Sequence, residues 1–238
     1  NVGFIGKISD DELGHKYEIG LKKEKVTFFY QKKKEEIPTG TCLILITPDS
    51  ERTMCTFLGT AGNINKNDIN INSVKNSEII FLEGYLWDEG EAKLAFDIAI
   101  NSSKKVAMSL SDLFCVERHK SNLCDLVENK LDLTFAHEQE ITSLINAKNF
   151  NDVISFAKQI KKTIVITRGE KGSITISNNE VIECNSKKNL KILDLTGAGD
   201  LFAAGFLHGY INNLSIKDSL EKGTELSTKI IQKIGARI

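Results

Sequence analysis

The chain has 238 residues, of which 41% are hydrophobic and 26% are charged, and its formal net charge is −1. Such a chain can form one large α/β domain or a domain with an appendage. The balanced charge argues against nucleic acid and membrane surfaces as partners, and no apolar run approaches the length of a membrane span.

The chain begins with a predicted strand and helix. Residues 2–6 are predicted to form a short buried strand. Ser9 and Glu12 are spaced as a capping box, which opens a predicted helix that ends near Lys23.

A β-hairpin is predicted next. The runs 42–47 and 52–58 have extended character, and the turn formers Pro48 to Glu51 join them. The first run is apolar on both faces for five residues. We therefore expect it to be covered on both sides, because an uncovered strand of this kind is prone to aggregation.

Strands and helices alternate over much of the chain from Glu78 onward. This alternation predicts an α/β fold with a doubly wound, mostly parallel sheet flanked by helices. The predicted strands are 78–87, 106–110, 131–135 and 163–167, and the predicted helices are 88–103, 118–129, 138–146 and 151–161. A further hairpin, 173–177 and 180–184, turns at Asn178-Asn179, and a terminal helix runs from Ser215 to Ile234.

The stretch 191–207 carries the main chemical signal. Its small-residue turn, Gly197-Ala198-Gly199, precedes Asp200 and an apolar run that predicts a buried helix. The N-terminus of such a helix favours an anion, and glycine lets the backbone approach a ligand closely. A carboxylate beside an anion site suits the role of a base for an incoming hydroxyl group.

Two common glycine motifs are excluded here. Phe202 occupies the position where the dinucleotide fingerprint needs its third glycine, and Gly199 is not followed by the Lys-Ser/Thr of a P-loop. A bare Gly-x-Gly-Asp is equally consistent with an ordinary strand–turn–helix junction whose Asp caps the helix.

The longer string Asp194-x-Thr-Gly-Ala-Gly-Asp-x-Phe-x-Ala-Gly205 resembles the C-terminal signature of the ribokinase-like (PfkB) carbohydrate and nucleoside kinases. The resemblance implies ATP and Mg²⁺ as cofactors. It implies that Asp200 is the catalytic base, which takes the proton from a substrate hydroxyl that attacks the γ-phosphate. The amides of Gly197, Ala198 and Gly199 would then form the anion hole.

A second site is predicted at the ends of two strands. Ligands of doubly wound sheets bind outside the carboxyl ends of the strands. The segment Thr167-Arg168-Gly169-Glu-Lys-Gly172 resembles the nucleotide loop of the family, and its alternative is a plain turn. His137 stands where the family usually has Asn, and Glu140 matches the Glu that shapes the Mg-bound phosphates. The alternative for that pair is a polar helix cap.

The hairpin resembles the lid of adenosine-kinase-like members of the family. Arg52 would then reach the substrate or the γ-phosphate, and the alternative is a solvated turn arginine beside Glu51. Asp194 and Thr196 match positions that bind a monovalent cation such as K⁺ in some relatives. The lid would close over substrate or pack on the lid of a second subunit, which makes a homodimer an expectation.

The resemblance implies an N-terminal part, 1–77, with the lid at about 26–61, and a nucleotide-binding and catalytic core, 78–238. We expect an ATP-dependent kinase of a nucleoside (adenosine-like) or sugar hydroxymethyl group. A ribokinase- or fructokinase-type sugar kinase and a non-catalytic nucleotide-binding relative are the alternatives. The family's N-terminal substrate-binding segment is expected to lie outside these residues. Five cysteines without a Cys-x-x-Cys pair favour reduced thiols in the cytoplasm.

Overall fold

The computed structural model describes residues 1–30, 32–88 (Asp88 by its backbone only) and 91–238. The chain divides into two compact units. Unit 1 comprises 1–44, 54–80 and 86–105, and unit 2 comprises 45–53, 81–85 and 106–238. The expected division after residue 77 stays a prediction.

Unit 1 begins with a small parallel sheet. Its strands are β1 (Val2–Phe4) and β2 (Val26–Phe28), and helix α1 (Glu12–Lys23) connects them. The prediction that the first strand is buried is wrong, because Val2 is 64% exposed on this two-stranded sheet. Ser9 is not the helix cap either. Asp11 caps α1 by accepting a hydrogen bond from the Gly14 N–H.

The predicted hairpin is confirmed with slightly longer strands. It consists of β3 (Thr39–Ile46) and β4 (Arg52–Gly59), which form their own two-stranded sheet. At its base, the Asp11 carboxylate also accepts hydrogen bonds from the N–H and hydroxyl groups of Thr39, each at 2.8 Å. The expectation that β3 is covered on both sides is wrong for this chain alone, since Leu43 is 63% exposed.

Unit 1 also holds two helices, α2 (Ile71–Asn76) and α3 (Ala92–Ser102). The predicted helix 88–103 therefore starts later than expected, and its positions 89 and 90 lie outside the described residues. The predicted strand 78–87 is shorter than expected. It forms β5 (Ile80–Glu83), followed by a 3₁₀ turn, Gly84–Asp88, and the Gly84 N–H at the start of that turn donates to the Ser111 hydroxyl.

A six-stranded sheet has the order β10-β9-β8-β7-β6-β5. Strands β6, β7 and β8 pair in parallel, whereas β8, β9 and β10 pair antiparallel. The confirmed fold is a mostly parallel sheet with flanking helices. The strands are β6 (Val106–Ser109), β7 (Leu133–His137), β8 (Thr163–Thr167), β9 (Ser173–Ser177) and β10 (Glu180–Cys184).

Helices cover both faces of this sheet. Successive strand residues point to opposite faces, yet Ile164, Val165 and Ile166 are all fully buried. The first covering helix starts earlier than predicted, because Asp112 caps it through the Cys115 N–H. The helices are α4 (Leu113–Asp125), α5 (Glu138–Leu144), α6 (Phe150–Ile160), α7 (Ala198–Ile211) and α8 (Ile216–Ile230), the last ending earlier than expected.

Helices α7 and α8 cross at two glycines. A Cβ atom on Gly205 would lie 2.6 Å from the Lys222 carbonyl oxygen, and one on Gly223 would lie 2.8 Å from the Phe202 carbonyl oxygen. Neither position has space for a methyl group. The close crossing holds α7, the helix that Gly197 caps, against α8.

We expect Gly205→Ala to lower the free energy of unfolding by about 1–3 kcal/mol, the usual cost of overpacking a core. Urea unfolding followed by circular dichroism measures this change. Ala204→Ser, which adds one atom at an exposed position of the same helix, is the control and should change stability little. Equal stability of Gly205→Ala and the wild type would contradict the packing described here.

Candidate active site

The turn before α7 leaves the N-terminus of that helix open to a ligand. Gly197 caps the helix with φ = 79°, and no side chain accepts a hydrogen bond from its first turn. The space beside the Gly199 Cα is empty to at least 4 Å. The Ala198 N–H already donates to the Leu195 carbonyl oxygen at 3.2 Å, so this amide supports the turn itself. First-turn amides without a capping side chain, at the positive end of a helix, suit an anion.

Asp194 holds the turn in place from beneath. Its carboxylate is 1% exposed and accepts hydrogen bonds from the N–H (2.8 Å) and hydroxyl (2.6 Å) of Thr196. It also accepts one from the Gly235 N–H at 2.8 Å. Burial disfavours the charged carboxylate, but these hydrogen bonds outweigh it and lower the pKa of Asp194. Both oxygens are therefore committed to fixing the loop.

Asp200 and Arg52 act on each other electrostatically. Asp200 is reached by solvent, yet the surrounding protein desolvates its carboxyl enough to raise its pKa, and the positive charge of Arg52 partly offsets this rise. The hairpin tip that carries Arg52 is tied to the same loop, because the Ser50 hydroxyl donates to the Ile192 carbonyl oxygen at 3.0 Å. Within unit 2 the predicted arginine thus lies in electrostatic range of the predicted base.

The acidic side chain of Glu83 lies in electrostatic range of Asp200, and sequence reasoning missed it. Desolvation, with the nearby charge of Asp200 and Glu140, raises the pKa of Glu83 from 4.5 to about 7. Its carboxylate accepts a hydrogen bond from the Ser111 hydroxyl at 3.1 Å. Desolvation also raises the pKa of Glu140, with a smaller contribution from Asp112. The position of Glu83 in the sequence could have indicated this. It is the last residue of its strand, and ligands of such sheets bind at the carboxyl ends of the strands.

His137 and Glu140 form a reciprocal cap on α5. The His137 N–H donates to the Glu140 carboxylate at 2.8 Å, and the Gln139 N–H donates to His137 Nδ1 at 3.3 Å. Burial lowers the pKa of His137 and favours the neutral ring. Because Nδ1 accepts a hydrogen bond, the ring proton resides on Nε2, which leaves the ring with one N–H donor.

The loop after β8 is a tight closed turn. The Arg168 N–H donates to the Gly172 carbonyl oxygen at 2.8 Å, and the Thr167 hydroxyl donates to the Ala136 carbonyl oxygen at 3.5 Å. Gly172 has φ = 88°, and a Cβ atom there would lie 2.1 Å from the Cys184 carbonyl oxygen, so only glycine fits. Gly169 has φ = 56° and open space beside its Cα. This open side leaves room for a ligand.

The structure arranges the predicted site residues in two groups within unit 2. One contains Asp200 with the glycine turn and Arg52, and the other contains His137 with the loop after β8. Glu140 contributes to both, through its contact with the His137 N–H and its charge near Glu83. Asp194 and Thr196 are brought together, but they bond to each other.

Binding of a metal ion such as Mg²⁺ depends on which side chains could act as its ligands. In the described parts of the chain, no group of three or more His, Cys, Asp or Glu side chains could hold a metal. Mg²⁺ is commonly bound by one or two carboxylates together with substrate phosphates and water. Among the described helices, none is long and apolar enough to cross a membrane.

Comparisons with known proteins point to one family. The model of the family described as "pfkB family carbohydrate kinase" matches residues 1–238. The chain is 28% identical over 220 residues to adenosine kinase of Dictyostelium discoideum, which covers 84% of this chain and 64% of that protein. It is 27% identical over 240 residues to ribokinase of Schizosaccharomyces pombe, which covers 99% of this chain and 75% of that protein.

The same similarity appears in a solved structure. The crystal structure of adenosine kinase from Sinorhizobium meliloti superposes with a TM-score of 0.95 at 32% identity, covering 99% of this chain and 74% of that one. The chain thus spans 64% to 75% of the length of these three proteins.

We expect the stability of the protein to depend on the ionisation of Glu83. The folded state keeps this carboxyl protonated up to about pH 7, whereas the unfolded chain releases the proton near 4.5. The folded state therefore binds more protons in this window, and the contribution of Glu83 to the free energy of unfolding falls as pH rises from 4.5 to 7. Glu83→Gln removes this loss.

The measurement is urea unfolding of wild type and Glu83→Gln at pH 5 and pH 8. The free energy of unfolding of Glu83→Gln minus that of wild type should be larger at pH 8 than at pH 5. Glu117→Gln, at an exposed position of α4, should show a difference that does not change with pH. A pH-independent difference for Glu83→Gln would show that this carboxyl is not desolvated in the folded protein.

Proposed function

The chain belongs to the pfkB family of carbohydrate kinases, and on this premise we propose that it transfers the γ-phosphate of ATP to a hydroxymethyl group of a nucleoside or sugar. The observation that carries the proposal is the uncapped N-terminus of α7 with Asp200 in its first turn. An anion site and a carboxylate base stand within one helical turn there. Transfer of a phosphoryl group to a hydroxyl needs both.

Asp200 is the proposed general base. Its raised pKa makes the carboxylate a stronger base than an ordinary aspartate, and the positive charge of Arg52 limits the rise. The acidic neighbour Glu83 titrates near pH 7 and can stay protonated, which reduces repulsion around the base. The base thus works in a partly desolvated setting without an accumulation of negative charge.

The glycine turn and Arg52 are proposed to hold the charge of the transferred group. Bound ATP with Mg²⁺ would supply the phosphoryl group and neutralise part of its charge. Amides at the start of α7 offer fixed dipoles to the phosphate oxygens, and the Arg52 guanidinium offers paired N–H donors. Because Asp194 is committed to the turn, this loop is preorganised before any ligand binds.

The nucleotide is proposed to bind at the ends of β7 and β8. Thr167, Arg168, Gly169 and Gly172 would line the site, and Glu140 would orient water on Mg²⁺. The neutral His137 would offer its Nε2–H to a phosphate oxygen. A monovalent cation such as K⁺ at the Asp194–Thr196 loop stays a prediction that a comparison of rates in K⁺ and Na⁺ buffers tests.

An adenosine-like nucleoside is the proposed acceptor. Support comes from the adenosine kinases of Dictyostelium discoideum and Sinorhizobium meliloti, to which the chain is similar. The second candidate, a ribose- or fructose-type sugar, is supported by the similarity to ribokinase of Schizosaccharomyces pombe. A non-catalytic nucleotide-binding relative is disfavoured because Asp200 and the glycine turn are both in place.

The hairpin is proposed to act as a lid and as a dimer interface. Its tip, residues 45–53, belongs to the same unit as Asp200 and is tied to the loop before Asp194 through Ser50. Closure of such a tip would keep water away from the phosphoryl group. Large apolar side chains on its strands, among them Leu43 and Phe57, are 63% and 51% exposed in the single chain, which suits the lid of a second copy.

We expect Asp200→Asn to lower kcat by about 10²–10⁴-fold with nucleotide affinity largely kept, because it removes the base and retains the shape. A coupled assay of ADP release with adenosine as acceptor measures kcat, and calorimetric titration with ADP measures affinity. Asp97→Asn, at an exposed position of α3, is the control and should leave kcat unchanged. Near-normal turnover by Asp200→Asn would rule out the assignment of the base.

We expect the wild-type protein to sediment as a dimer at micromolar concentration, and Leu43→Glu to sediment as a monomer. A charge at this position would have to be buried without a partner in the dimer, which is costly. Leu13→Glu changes a comparably exposed leucine of α1 and should leave the dimer intact. Sedimentation equilibrium measures the mass of each variant in solution. A monomeric wild type would refute the proposed dimer but not the proposed lid.

A further inference from the structure

Two cations share one carboxylate at the ends of β7 and β8. The Arg168 Nε–H donates to Glu138 Oε2 at 3.1 Å, and Lys171 Nζ lies 3.5 Å from Oε1 and 3.4 Å from Oε2 of the same carboxylate. Burial opposes the charge of Glu138, but the hydrogen bonds and positive charges of Arg168 and Lys171 together outweigh it and lower the pKa of this carboxyl. One carboxylate therefore faces two positive charges, and the cluster retains positive charge.

The two cations are held to different degrees. The Arg168 guanidinium lies over the Phe150 ring, 4.2 Å from its centroid, and its side chain is only 19% exposed. The Lys171 side chain is 66% exposed and meets Glu138 at longer distances. Arg168 is thus fixed on three sides by chain, ring and carboxylate. Lys171 is kept near the cluster and can exchange its carboxylate for another anion.

The backbone joins the cations in one turn with an open side. The Lys171 N–H donates to the Arg168 carbonyl oxygen at 3.1 Å, which closes the turn around Gly169. The Cα of Gly169 faces empty space. A fixed fork of N–H donors and an exposed ammonium group beside an open glycine suit an extended polyanion better than a single carboxylate.

We propose that Glu138 is a positioning residue for the polyphosphate of the nucleotide: it orients Arg168 and retains Lys171 so that both cations meet the phosphate chain. This inference rests on the proposed nucleotide site. Glu138 itself does not touch the phosphates, since two anions repel each other. It acts by removing the conformational freedom that the two long cationic side chains would otherwise lose on binding.

The sign of one substitution effect separates this role from simple electrostatics. If Glu138 were only a negative charge near the site, Glu138→Gln would remove repulsion and tighten nucleotide binding. If Glu138 positions the cations, the same change releases them and weakens binding. We expect the dissociation constant of ADP with Mg²⁺ to rise about tenfold in Glu138→Gln, as for a lost charge-assisted contact.

The measurement is calorimetric titration of ADP with Mg²⁺ into the full-length protein, below the unfolding transition of each variant. Glu170→Gln removes the same charge from an exposed position in the same turn and should leave the dissociation constant unchanged or slightly lower. An unchanged or lower dissociation constant for Glu138→Gln would overturn the proposal.

A double-mutant cycle guards against a merely structural effect of Glu138→Gln. Lys171→Met should weaken ADP binding in the wild-type background and have little further effect in the Glu138→Gln background, because the positioning is already lost. Additive effects would overturn the proposal. ADP binding without phosphorylation of any acceptor would contradict the proposed function and leave this inference to be decided by the dissociation constants.

Discussion

The buried carboxylate of Asp194 is the interaction on which the rest of the site depends. It accepts three hydrogen bonds, two from Thr196 and one from the Gly235 N–H, and so joins the glycine turn to the segment that follows α8. An unpaired buried carboxylate would be strongly destabilising, whereas this one is fully satisfied. Because the turn is fixed from below, the first-turn amides of α7 keep their direction without a ligand. The glycine crossing of α7 and α8 fixes the same helix along its length.

Partial desolvation explains how one region accommodates several acidic groups. Glu83 would be repelled by both Asp200 and Glu140 if all three were charged, and burial raises the pKa of each carboxyl. A proton retained on Glu83 near neutral pH lowers the negative charge around the proposed base. Arg52 adds a compensating positive charge from the hairpin tip. The pKa of Asp200, beside the proposed phosphate site, thus reflects a balance between desolvation, which raises it, and the charge of Arg52, which lowers it.

Much of the fold follows from local sequence signals. Strand β8 has the predicted bounds, Thr163–Thr167. Its apolar run ends at polar residues on both sides, and these mark the ends of the strand in the sequence. The turn at Asn178-Asn179 has positive φ at both residues, as asparagine tolerates. The start of α4 was missed because its cap, Asp112, precedes residues without clear helical periodicity. The exposure of Leu43 was missed because coverage by other elements is a long-range property.

The candidate site was only partly predictable for the same reason. The glycine turn and Asp200 form one contiguous string, so their proximity is visible in the sequence. Glu83 and Ser111 are 28 positions apart and meet only through the pairing of strands. The role of Glu138 depends on Arg168 and Phe150, which lie on other elements. No local pattern reveals such a contact before the sheet is assembled.

Identification of the reaction product tests the central claim most directly. The full-length protein would be incubated with ATP and Mg²⁺ in three separate reactions, which contain adenosine, ribose or fructose as the acceptor. The products would then be examined by phosphorus NMR and mass spectrometry. We expect one phosphate monoester, on the hydroxymethyl oxygen of one acceptor, formed in equal amount with ADP. Formation of inorganic phosphate alone, or a phosphate ester on a ring hydroxyl, would contradict it.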